Sequence, residues 1–110
     1  MNLTEDEQIS RFYSDKEKLL FVNAHRKLFK ERLKAALDQR IGRNRKNCCS
    51  PEYHARVSGI HRTTMLRYLD VKSRVVPSFD MICVLIEYIK IFVKDFNPAY
   101  LFDESATMTK

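Results

Sequence analysis

The sequence contains no tryptophan, two glycines and three prolines in 110 residues. So little glycine and proline leaves little material for β-turns or for a phosphate-cradling loop, which argues against glycine-rich nucleotide-binding folds. The three cysteines, Cys48, Cys49 and Cys83, are an odd number without metal-ligand spacing. We therefore expect free thiols in a reducing, cytoplasmic setting, with Cys83 as a small core residue.

A long hydrophobic run is also missing. The most apolar stretch, residues 81–93, is 13 residues long and contains Glu87 and Lys90, so it is too short and too charged to span a bilayer. The first ten residues are acidic and lack the apolar core of a signal peptide. We expect no membrane partner.

Positive charge is concentrated in the middle third of the chain. The whole chain has 20 basic and 14 acidic residues, a net charge of +6. Residues 1–39 contribute +1 and residues 77–110 contribute −2, whereas residues 40–76 hold nine basic and two acidic side chains, a net of +7. So local an excess of basic residues is more typical of a segment that binds a phosphate backbone than of charge that serves solubility alone.

Helix signals dominate the first 42 residues. Thr4 is placed to cap a short helix over residues 3–12, and Ser14 with Glu17 forms a capping box for a second helix. Apolar residues recur at helical spacing from there to Gly42, which suits the end of a helix. The pattern leaves open whether this is one long helix or two that break near Asn23.

The second half predicts further helices. Ser50 and Pro51 begin a helix that stops at Gly59, and His61 or Ser58 begins the next, which covers residues 62–69. After a loop over residues 70–76, a helix from 79 to about 95 is apolar on almost every side. We expect it to be buried in the core or in a subunit interface. A last short turn begins at residues 97–98, and no segment calls for a strand, so the class is all-α.

The two short helices have the spacing of a helix-turn-helix. The inner positions of such a pair must be small and apolar, and they are Ala55, Gly59, Ile60, Met65 and Tyr68. The chain resembles the lambda-repressor-like (XRE-type) helix-turn-helix family in the segments 50–52, 59–60, 62–65, 67–69, 77–78 and 97–102. The resemblance implies a bundle of about five helices with an extra N-terminal helix. It divides the chain into an N-terminal extension (1–25), a DNA-binding domain (26–104) and a mobile tail (105–110).

The first short helix departs from the family pattern. His54 and Ser58 stand where the family has apolar residues, whereas Tyr53 and Val57 are apolar one position earlier. The sequence leaves open which of these two pairs points inward.

By resemblance, helix 62–69 inserts into the major groove of double-stranded DNA. Met65, Tyr68 and Leu69 turn inward, while Arg62, Thr63, Leu66 and Arg67 are exposed. The expected base contacts are Arg62, Thr63 and Arg67. The expected phosphate contacts are Arg43, Arg45, Lys46, Ser50, Lys72 and Arg74. A single module covers few base pairs, so we expect a homodimer, held together by the helix from residue 79 or by the extra N-terminal helix.

Other functions find less support in the sequence. A protein-interaction module, antitoxin-like or adaptor, on the same scaffold would use the basic surface to bind an acidic partner. No nucleophile–base pair, carboxylate pair or metal cluster indicates an enzyme, and His25, His54 and His61 lack companions at zinc spacing. We therefore expect a transcription regulator without a cofactor or a small-molecule ligand, since about 25 residues outside the resemblance leave no room for a sensor domain.

Overall fold

One helix of 23 residues organises the computed structural model, which describes residues 2–40 and 50–110. This helix, α2 (Asp15–Leu37), begins as predicted, because the Ser14 hydroxyl accepts a hydrogen bond from the Glu17 amide at 3.3 Å. The Glu17 carboxylate binds Arg11 at 2.8 Å, which leaves the capping box half formed. The helix continues without a break past Asn23, so the question that the sequence left open is settled in favour of a single helix.

The end of α2 differs from the prediction. The helix ends at Leu37 and not at Gly42, which lies outside the described residues. The amides of Gln39 and Arg40 donate to carbonyls only three residues back, at 3.2 Å each. This tightening begins directly after Leu37, the last buried residue of the helix.

The remaining elements are short. They are α1 (Glu5–Ser10), α3 (Pro51–Ser58), α4 (Arg62–Leu69), α5 (Phe79–Phe92) and two 3₁₀ helices, Arg11–Tyr13 and Pro98–Leu101. The described residues contain no β-strand and one isolated bridge between Phe96 and Thr109, so the all-α class is confirmed. The predicted extra N-terminal helix is α1. The described part of the domain contains four α-helices, α2 to α5, and one 3₁₀ helix, a number close to the predicted bundle of about five helices.

The core lies where the C-terminal half of α2 meets the later elements. Leu33 from α2, Met65 from α4, Leu85 and Ile89 from α5, and Leu101 from the last 3₁₀ helix are completely buried. Each such side chain contributes about 1.5–3 kcal/mol through removal from water. Contacts with α2 and with α3 fix the position of α4 on the domain.

The N-terminal arm, defined here as residues 2–28, lies outside this core. None of the residues of α1 is buried, and the first buried residue of α2 is Phe29, close to the predicted boundary of the extension at residue 25. The Phe12 and Phe21 rings contact each other at 5.2 Å between centroids, which ties the start of the arm to α2. The molecule measures 54 × 30 × 22 Å, a long shape for so short a chain.

Within the chain, only one side of α5 is buried, so the core covers that side alone, and burial of the other side in a subunit interface stays a prediction. Leu85 and Ile89 pack in the core, whereas Phe79, Val84 and Ile91 are exposed. The helix ends at Phe92, three residues early. The prediction that Cys83 is a core residue is wrong, because its position on α5 faces away from the domain and is exposed.

Residues 105–110, expected to form a mobile tail, return along the domain. The Asn97 amide donates to the Met108 carbonyl at 2.8 Å, and the Lys110 amide donates to the Asp95 carbonyl at 3.0 Å. Arg32 of α2 holds the approach to this segment by donating to the carbonyls of Tyr100, Glu104 and Ala106 at 2.9–3.1 Å. The sequence pattern missed these contacts because their acceptors are backbone carbonyls, which leave no signature in side-chain type.

Candidate nucleic-acid interface

The turn between α3 and α4 forms as the sequence predicts. The Ser50 hydroxyl caps α3 by accepting from the Tyr53 amide at 3.2 Å, and Pro51 occupies the first helical position. Gly59 ends α3 in the left-handed conformation, with φ of +79°. His61 then caps α4, because its Nδ1 accepts a hydrogen bond from the Thr63 amide at 3.2 Å.

The inner faces of this pair match the predicted packing residues. Ala55, Ile60, Met65 and Tyr68 are all buried, and the turn residue Gly59 is exposed. Because the two helices pack closely through these small and apolar positions, the side chains on the other face of α4 are directed away from the domain.

The open question about α3 is answered in favour of His54. Its side chain is buried and Ser58 is partly buried, whereas Val57 is exposed. His54 Nδ1 is 2.7 Å from the Tyr88 hydroxyl of α5, so a hydrogen bond joins α3 to α5. Burial lowers the pKa of His54, although the nearby Leu37 carbonyl opposes the change, and the imidazole is therefore favoured in its neutral form.

The outer face of α4 carries the side chains that the sequence assigned to base contacts. Arg62, Thr63 and Arg67 are exposed, and Leu66 between them is also exposed. Arg62 lies at the first position of α4 and Arg67 more than one turn later, so together they span the accessible face of the helix.

Arg62 is engaged by a neighbour on α3. Its Nη2 and Nε atoms donate to Glu52 Oε1 at 3.1 and 3.3 Å. The pKa of Glu52 lies below its usual value, first because of the carboxylate's hydrogen bond to its own backbone amide and second because of Arg62. An exposed pair of this type is weak, so an anionic ligand can draw Arg62 away from Glu52 at small cost.

The C-terminal end of α4 is held by a residue that the sequence analysis missed. Lys30 of α2 is completely buried, and its Nζ donates to the carbonyls of Arg67 and Val75 at 2.6 Å each and of Tyr68 at 3.3 Å. A cation at this end of a helix satisfies its last carbonyls and complements its dipole. Burial lowers the pKa of Lys30, and the charge of Asp70 partly opposes this.

A pattern-based signal for Lys30 exists. The residue precedes Leu33 by three positions and Leu37 by seven, which places it on the buried side of α2 at helical spacing. A lysine on such a face predicts a carbonyl cage or a buried carboxylate as its partner. The sequence alone does not identify the carbonyls of this cage as those at the end of α4.

The predicted phosphate contacts fall into three groups. Lys72 and Arg74 are exposed on the loop after α4, and that loop is fixed at one end by the hydrogen bond between Lys30 and Val75. The Ser50 hydroxyl is already committed to the cap of α3. Arg43, Arg45 and Lys46 lie outside the described residues.

Other kinds of site receive no support from the described residues. Within 2–40 and 50–110, no three His, Cys, Asp or Glu side chains lie close enough together to hold a metal ion. Over the same ranges, every helix is too short or too polar to cross a membrane. Comparisons of the chain with protein-family models, with curated proteins and with solved structures find no match.

Proposed function

We propose that this protein binds double-stranded DNA sequence-specifically by inserting α4 into the major groove, as a small transcription regulator. One observation carries the proposal: α4 buries Met65 and Tyr68 in the domain and leaves Arg62, Thr63 and Arg67 exposed on its outer face. A rigid, supported helix with an outward cationic face has the shape and the charge that the major groove accepts.

The outer residues would make different contacts with DNA according to their position. Arg62 and Arg67 are suited to bidentate hydrogen bonds with guanine, and the Thr63 methyl group is suited to packing on thymine. Lys72 and Arg74 on the following loop would contact phosphates, which sets the register of α4 without reading sequence. Glu52 would then act as a local competitor that holds Arg62 until a base takes its place.

Support of α4 at both ends favours specific binding. The His61 cap holds its first turn, and Lys30 holds its last carbonyls. Because the helix is fixed before it meets a ligand, little ordering entropy opposes the contacts that it makes. The same Lys30 contact to Val75 would present the loop that carries Lys72 and Arg74.

The test begins with selection of bound sites from random duplexes, followed by binding measurements on a selected and an unrelated duplex over a salt series. We expect Arg62→Ala to weaken binding to the selected duplex by about 1–3 kcal/mol, or roughly 5–150-fold, with little change on unrelated DNA. Lys72→Ala should weaken both duplexes equally and flatten the salt slope. Lys94→Ala, an exposed cation beyond α5, serves as the matched control and should change neither.

Three results would overturn the proposal. Binding that does not respond to salt, or no binding to any duplex, removes DNA as the ligand. The prediction of a protein-interaction module for an acidic partner would then be the one to pursue. Equal loss on both duplexes for Arg62→Ala would assign Arg62 to phosphate contact and leave α4 without a demonstrated role in sequence readout.

A further inference from the structure

The stripe of α2 that packs in the core continues past the end of the domain. The α2 stripe comprises residues 19, 22, 26, 29, 33 and 36, spaced alternately by three and four, which places them on one side of a helix. Leu33 and Ala36 are completely buried and Phe29 nearly so. Val22 and Leu19 on the same stripe are 51% and 53% exposed.

An apolar cleft opens where the stripe leaves the domain. It has a volume of about 360 Å³ and lies between α2 and the segment that leads into α5, with Val22, Phe29, Val76, Pro77, Ile82 and Phe102 among its lining residues. The cleft and the exposed part of the stripe form one continuous apolar surface, because Val22 belongs to both.

The charges along the arm are complementary to those of a second arm that runs in the opposite direction. Residues 5–17 carry five acidic and two basic side chains, whereas residues 18–27 carry three basic and no acidic ones. Two α2 helices packed antiparallel would place Asp15 and Glu17, at the acidic start of each helix, against the basic segment 18–27 of the other. A parallel pair would instead oppose like charges, which is unfavourable.

We propose that a second copy of this chain packs antiparallel along the arm, with the two-fold axis between residues 20 and 21. In this register Leu19 meets the partner's Val22, and Asp15 meets the partner's Arg26. Leu19, Val22 and Arg26 belong to the α2 stripe. Asp15 lies four residues before Leu19 on the same side of the helix, so one register satisfies both the apolar and the charged contacts.

The same register places the cleft in the contact between the two copies. Val22 and Arg26, which line the cleft, face the partner's Leu19 and Asp15 in this register. Phe12 precedes the Ser14 cap and packs back on Phe21 of its own chain, with 5.2 Å between the ring centroids. The Phe12 ring is more than half exposed and its neighbour Phe21 is also at the cleft. The two symmetry-related clefts are thereby covered by the two arms, as a closed two-fold contact requires.

The first experiment compares two adjacent leucines by sedimentation velocity of the full chain over a concentration series. Leu19 and Leu20 are 53% and 55% exposed, but they point about 100° apart around α2, and only Leu19 lies on the stripe. We expect the wild type to sediment as a dimer of the 13.1 kDa chain. Leu19→Glu should weaken dimerisation at least tenfold, while Leu20→Glu should leave it within about twofold. Far-UV circular dichroism checks that both variants remain helical.

The second experiment exchanges the charges. Asp15→Lys and Arg26→Glu should each weaken the dimer by placing like charges across the interface, and the double variant should restore it. Failure of the double variant to recover association overturns the register.

Three other outcomes overturn the proposal itself. They are a wild-type monomer at every concentration, equal effects of the two leucine variants, and dissociation by Ile91→Glu, which would place the interface on the exposed side of α5. These measurements contain no DNA, so their failure would leave the proposed function of α4 untouched.

Discussion

Lys30 offers the sharpest test of how α4 is held in place. Its ammonium group is completely buried and donates to three backbone carbonyls, two of them at 2.6 Å. Replacement by methionine keeps most of the volume of the side chain and its apolar stem, and it removes all three donors. The carbonyls of Arg67 and Val75 then lose their charged partner.

The expected cost follows from these contacts. A hydrogen bond to a charged group contributes about 1.5–3 kcal/mol net, and an acceptor left unsatisfied in the interior costs a similar amount. Against this, methionine avoids the desolvation of a buried ammonium group, which lowers the pKa of Lys30 in the native protein. With two short bonds lost and part of the cost recovered, we expect Lys30→Met to reduce the free energy of unfolding by about 2–4 kcal/mol.

The assay is urea unfolding followed by circular dichroism, with Lys27→Met as the matched control. Lys27 lies on the same helix, and its side chain is 70% exposed, with one ion pair to Glu31 at 3.9 Å. Such a pair contributes about 0.5 kcal/mol or less, so Lys27→Met should hardly change the free energy of unfolding. Hydrogen exchange should also show faster opening at the end of α4 in Lys30→Met alone.

Two outcomes would refute this reasoning. Equal changes in the two lysine variants would mean that the carbonyl cage contributes no more than an exposed ion pair. A more stable Lys30→Met protein would mean that the desolvation of the ammonium group exceeds the value of its hydrogen bonds, as happens for some buried charges.

Two further predictions concern α3 and its turn. The pKa of His54 in the folded protein lies below its usual 6.5. Between these two pKa values the unfolded state binds more protons than the folded state does. The free energy of unfolding should therefore fall as the pH drops from above 6.5 toward the folded pKa. Urea unfolding across this pH range measures the fall. His54→Leu should reduce the dependence of the unfolding free energy on pH, and an unchanged dependence in this variant would contradict the burial of a neutral imidazole. Gly59→Ala should cost about 1–2 kcal/mol because φ is +79°, although a methyl group there meets nothing within 4 Å. Gly59→Asn should cost less, and the same unfolding assay would contradict the reasoning if alanine proved as stable as glycine.

Local signals in the sequence predicted the elements well. The caps at Thr4, Ser14, Ser50 and Ser78 all form in the structure, because each requires only one hydroxyl within three residues of an amide. Helix α4 also has the predicted bounds, with the His61 imidazole as its cap. The ends of α2 and α5 were predicted too late, since an apolar pattern continues where neighbouring elements no longer support a helix.

The candidate site was predicted less completely. The exposed positions of α4 follow from helical spacing once its inner residues are identified. The hydrogen bonds of Lys30 to α4 and of Arg32 to the C-terminal segment join residues more than 35 positions apart. Backbone carbonyls as acceptors are invisible in a sequence, so only the folded chain identifies these partners.

The sequence by itself determined the helical class, the caps at Thr4, Ser14, Ser50 and Ser78 and the turn at Gly59, because these depend on contacts within a few residues. Tertiary structure decided that His54 points inward, that Cys83 and one side of α5 are exposed, and that Lys30 holds the end of α4. Each of these outcomes depends on which elements become neighbours in space. Helical periodicity states which residues share a face, and packing alone decides whether that face meets the core, solvent or another chain.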